Sequence, residues 1–152
     1  MDSVAQPTPL ALESDLAREQ RFVGRSGALL LLLTLLQGGY VAAAMTGQVP
    51  ADVKITLAAH VTGMLGALFL FAYAWSLPLL RLGSTGRMRI AYALMVANFA
   101  GLIVGSAKAI PAVHGVALND NPANNTVFGL LNVLVVIPML AAAASWIYGF
   151  RR

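Results

Sequence analysis

Cysteine is missing altogether, which excludes disulfides, iron–sulfur clusters and thiolate metal sites. Charge is scarce. Only 11% of the 152 residues are Asp, Glu, Lys or Arg, while 59% are hydrophobic. A soluble domain of this length could not cover so much apolar surface with so few polar groups, so a membrane domain follows. Acids are scarcer still. Asp2, Glu13, Asp15 and Glu19 precede the first apolar run, and Asp52 and Asp120 fall in loops. Without a carboxylate relay in the spans, ion pumping is poorly supported. Nucleotide-binding glycine loops, nucleophile elbows, paired carboxylates and internal repeats are absent as well.

What is present is four apolar runs, at about 27–45, 55–80, 90–110 and 126–150. Each is close to the ~20 residues a helix needs to cross the hydrocarbon, and none alternates as a barrel strand would. The expected fold is all-α, an integral membrane four-helix bundle over residues 26–152. Residues 1–25 mix acids and arginines around Pro7 and Pro9. That pattern is unlike a signal peptide and predicts a polar mobile tail ending in a short amphipathic turn at the membrane surface.

The net charge of +4 does not point to nucleic acid, because the cations flank the apolar ends. Eight of the ten (Arg18, Arg21, Arg25, Arg81, Arg87, Arg89, Arg151 and Arg152) fall on one side, against Lys54 and Lys108 on the other. The positive-inside rule then puts both termini in the cytoplasm, and the expected location is a bacterial inner membrane. The loop 111–125 is rich in Asn, Pro and Gly, and reads either as a connector or as a lid over the outer end of the bundle. Thr126 is placed to cap the last helix.

Two histidines remain. His60 lies about one turn inside the second span, and lipid has no water to solvate an imidazole, so it is the leading site residue. Gly63, Met64, Ala67 and Phe71 share its helical face, and Gly63 and Gly66 would let a backbone or a flat ligand approach. A hydrogen bond to a neighbouring helix's carbonyl is the plainer role for the ring. Metal or haem ligation and proton handling are the functional ones. The third span carries Asn98 and, further on, Ser106 and Lys108, and the fourth carries Asn132. Asn132 falls in the same leaflet as His60, and the two, with the Thr62 hydroxyl, are expected to form a polar cluster. His114 belongs to the outer loop, where exposure to solvent is expected.

The stretch Ala59-His60-Val61-Thr62-Gly63-Met64-Leu65-Gly66-Ala67-Leu68-Phe69 resembles the second span of the styrene oxide isomerase and hydroxylaminobenzene mutase group, with its A-H-x-x-G-x-x-N-G signature. The likeness extends to the Leu-rich helix from Gly27 to Gly39, to Trp75 and Pro78, and to Asn98. It implies a four-span isomerase that binds haem b, with His60 as the iron ligand and Gly63, Met64 and Ala67 beside the cofactor. A Lewis-acidic iron would then open a small apolar epoxide or an arylhydroxylamine arriving from the bilayer. Asn98 and Asn132 are the candidate catalytic side chains of this chain, in place of the family's polar donor. The resemblance also implies a homo-oligomer, a homotrimer with haem near subunit contacts.

Two positions depart from the pattern. The family asparagine six residues after the histidine is Gly66, and a tyrosine four residues after the third-span asparagine is Leu102. Two other readings stay open: a haem-binding redox or sensor protein, and a non-catalytic interaction subunit in which His60 and the asparagines join helices.

Overall fold

The computed structural model describes residues 9–151, and these contain helices and no strands. Helix α1 is Pro9–Met45, α2 is Val53–Ser76, α3 is Ser84–Ala107, α4 is Pro122–Leu131 and α5 is Ile137–Gly149. A 3-10 turn, Leu77–Leu79, closes α2, and a π turn, Asn132–Val136, joins α4 to α5. The four apolar segments long enough to cross a membrane are Asp15–Met45, Val53–Leu79, Ser84–Ala107 and Pro122–Gly149. The protein is an integral membrane helical bundle.

Local chemistry sets these boundaries. Asp52 caps α2 by accepting the Ile55 N–H at 2.9 Å. Pro78 tightens the end of α2 into its 3-10 turn. Asn121, not Thr126, caps α4, accepting from the N–H groups of Ala123 and Asn124, and Pro122 supplies the preformed first helical residue. Thr126 instead donates to the Pro122 carbonyl of its own helix at 3.0 Å. The fourth span is also not a uniform α-helix. Pro138 has no N–H for the carbonyl four residues back, and the preceding turn widens so that the Ile137 N–H reaches Asn132 O.

The polar stretch expected as a tail with a short turn is helical from Pro9 onward. Residues 1–8 lie outside the described residues. The cause is tertiary: Glu19 is buried, and its carboxylate takes Arg87 at 2.6 Å through Nε and 3.1 Å through Nη2. Arg87 also donates to Leu82 O at 2.7 Å, and its own carbonyl accepts from the Tyr73 hydroxyl at 2.6 Å. Tyr73 is fully buried, with Trp146 edge-on at 5.2 Å. Trp146 Nε1 donates to Ser76 Oγ at 2.9 Å. These bonds fasten one end of the bundle, called here the arginine end.

The apolar core continues from it through Leu30, Leu70, Leu77 and Leu94. Helix α1 packs along α2, α2 along α3, and the fourth span along α3. Helix α3 is therefore central, with 44% of its apolar stretch buried against 6% for the fourth span.

Candidate functional site

His60 lies at the other end, on the seam between α2 and α1. Its ring fits there because Gly38 of α1 has no side chain: a Cβ on Gly38 would come within 3.3 Å of His60 Cε1. The ring is half-buried, and its neighbours Leu57, Val61 and Met64 are exposed. One face therefore rests on α1 while the outer edge is directed toward the bilayer side.

The hydrogen bonds fix the ring's protonation pattern. Gln37 Nε2 donates to Thr56 O at 3.3 Å, which sets the orientation of the amide. Its Oε1 is then the atom 3.1 Å from His60 Nδ1. A carboxamide oxygen only accepts, so the neutral ring carries its proton on Nδ1 and leaves the Nε2 lone pair free. A histidine poised for a metal has this arrangement, with a second group holding the other nitrogen. The helix-joining and ligand roles of His60 are thus compatible, each using a different nitrogen. Among the described residues, no three His, Asp or Glu side chains converge as a metal cluster. A lone imidazole cannot hold a bare ion firmly, but it suits a metal whose macrocycle supplies the equatorial ligands. The donor set fits haem.

The other expected site residues are distributed differently. Met64 shares the outward edge of the seam with His60. Gly63 and Ala67 do not offer the open face expected of them. Gly63 is pressed against Thr34 and Leu102, and Ala67 is fully buried in the core. Both serve helix packing.

Asn98 is buried, its Nδ2 donating to Leu94 O at 2.7 Å, and its Oδ1 lies where a Cβ on Gly66 would have to go. The space that a side chain at position 66 would enter is thus filled by Asn98 from across the seam. Asn132 donates to Phe128 O at 2.8 Å, within its own helix. Thr62 lines a groove with Leu131 and Val135 of the fourth span, whereas His60 faces α1. His60, Thr62 and Asn132 therefore do not form the polar cluster expected of them. His114 is exposed, as anticipated, and lines the same groove as Thr62. Its loop is tied down rather than free: Asn124 accepts from the Gly115 N–H at 2.8 Å and donates to Ala117 O at 2.7 Å.

Gln37 is the site residue the sequence reading missed. It is an amide within a Leu-rich span, and such a group in hydrocarbon demands a partner.

The family model described as styrene oxide isomerase matches residues 19–151. No curated protein and no solved structure matched the chain. The match covers most of the sequence, and the chain belongs to the styrene oxide isomerase family.

Proposed function

We propose that this member of the family is a membrane isomerase that rearranges a small apolar epoxide or arylhydroxylamine, with haem b held by His60. The observation that carries the reading is the Gln37–His60 bond, which leaves Nε2 available as a ligand. Bound there, haem would supply a Lewis-acidic iron able to polarise a C–O or N–O bond.

The chain's own residues do the rest. Gln37 keeps the Nδ1 proton in place and the ring in one orientation, as outer partners of metal-bound histidines do. Leu57, Val61 and Met64 give the ring an apolar surround, where water is excluded and a developing cation is not captured as a diol. No carboxylate lies on α2 or α3 to divert a proton, so migration within the substrate is the favoured outcome. Isomerisation moves no net electrons and calls for no redox partner.

Asn98 fills from α3 the space that the family asparagine would need at Gly66. Its Nδ2 is held by Leu94 O, so its part is helix packing rather than donation to substrate. The exposed edge beside His60 supports a site completed by a second copy of the chain, in a homo-oligomer such as a trimer. Both termini lie in the cytoplasm of a bacterial inner membrane, with His60 in the opposite leaflet, by the distribution of arginine and lysine.

The test is turnover by detergent-purified, haem-loaded protein on aryl epoxides and arylhydroxylamines without reductant. The expected result is a product of unchanged mass, an aldehyde from an epoxide or an aminophenol from a hydroxylamine. Both panels returned intact, together with carbon monoxide binding after reduction, would assign a redox or sensor role instead.

A further inference from the structure

A second site lies at the same end of the bundle, apart from His60. Because α2 and the fourth span both pack on α3 rather than on each other, a groove of about 280 Å³ remains between them. On α2 its wall is Ile55, Ala58, Ala59 and Thr62. His60 projects roughly 150° away from the middle of that face, at 100° per residue. The two sites are on opposite sides of one helix.

The groove has two parts. Its depth is apolar and narrow: Gly101 and Gly105 of α3 face Leu131 and Val135, and a Cβ on Gly105 would come within 3.1 Å of Ala59 Cβ. Its mouth is cationic, with Lys54 from the start of α2 and Lys108 from the end of α3, and His114 of the loop lies beside them. Lys108 Nζ spends one donor on His114 O at 2.7 Å. Neither lysine has a carboxylate partner among the described residues, where the recorded ion pair is Glu19–Arg87 at the far end. Asp52, the nearest acid in sequence, uses its Oδ1 to cap α2.

The placement of these lysines is the second observation. Seven of the nine Lys and Arg among the described residues belong to the arginine end. The two that do not, Lys54 and Lys108, line one and the same groove. Topology gives no reason for cations at this end, since loops here are the lysine-poor ones. Burial lowers the pKa of Lys108 below the usual ammonium range, a cost that an adjacent anion would offset.

We propose that this groove binds an anionic phospholipid, its phosphate between Lys54 and Lys108 and one acyl chain along Gly105 and Gly101. The spacing is suitable. Lys54 and Lys108 sit at span ends, at headgroup height, and Gly105 and Gly101 lie about 4.5 and 10 Å deeper along α3. Free phosphate would leave the apolar depth unfilled, and a neutral lipid would leave the lysines unpaired. This inference stands apart from the isomerase reading and does not depend on haem.

Native mass spectrometry of the purified full-length protein, titrated with phosphatidylglycerol or phosphatidylcholine, tests it. Phosphatidylglycerol is expected to bind the wild type roughly tenfold more tightly than phosphatidylcholine, because its headgroup keeps the net negative charge that two lysines can pair. Lys54→Gln with Lys108→Gln should erase that preference. Ala58→Phe, which fills the groove from an exposed position and keeps both lysines, should weaken binding of phosphatidylglycerol as well. Equal phosphatidylglycerol affinity in the wild type and either variant would overturn the proposal, as would a free fatty acid displacing the phospholipid stoichiometrically. A bound second copy of the chain in place of lipid would overturn it too.

Discussion

The two ends of the bundle are built on different principles. At the arginine end, large side chains interlock: Tyr73 and Trp146 pack edge-on, and a two-pronged ion pair joins α1 to α3. At the histidine end, contact is made through small residues, with Gly38 under His60, Gly63 against Thr34 and Gly105 against Ala59. Close packing by large groups fixes helix positions but leaves no space. Small-residue contacts bring backbones together while leaving grooves and a half-exposed imidazole beside them. The first end holds the bundle. The second is free to carry a site.

Substitutions should separate these roles. The largest effect on stability is expected from Glu19→Gln, which leaves the largely buried Arg87 without its countercharge and costs about 3 kcal/mol. Thermal unfolding in detergent reads it out, and Glu19→Leu combined with Arg87→Met should recover most of the loss. If Glu19→Gln unfolds like the wild type, the arginine end is not the fastening it is taken to be.

Gln37→Leu comes next, at the opposite end. It should leave thermal stability nearly intact and weaken haem affinity roughly thirtyfold, since outer partners of ligand histidines contribute 10–100-fold. A large drop in melting temperature with unchanged haem binding would reverse the contrast between the ends.

Gly66→Ala probes the boundary between the two regions. A methyl group there meets Asn98, so overpacking should cost about 1.5 kcal/mol, and Asn98→Ala in the same chain should relieve much of it. The smallest effect belongs to Gly39→Ala, where no atom lies within 4 Å of the added carbon. It should stabilise α1 by about 0.5–1 kcal/mol through helix propensity alone.

The legible part of this molecule was what hydrophobicity controls. All four spans could be read from runs of apolar residues, because the bilayer imposes length and helicity on any such run. The likeness around Ala59-His60 pointed to the family that the matched model covers. Pairing across helices was not legible. Glu19 reads as one more acid in a polar tail, and only α3, folding Arg87 back onto it, makes it a buried partner. His60, Asn132 and Thr62 share a leaflet in the sequence, yet rotation about the helix axes sends them to different seams. Periodicity within one helix cannot fix which neighbour each face meets. The π turn before Pro138 was not anticipated in the fourth span, since whether a proline gives a kink or a π turn depends on packing against α3.

The most direct test of the account is the absorption spectrum of the detergent-purified full-length protein after loading with haem b, read for the wild type and for His60→Ala. The account predicts a Soret band of bound, histidine-ligated haem in the wild type and its loss in His60→Ala, with both proteins melting at similar temperatures. Identical spectra from the two folded proteins would contradict ligation through His60 and, with it, the role assigned to the histidine end.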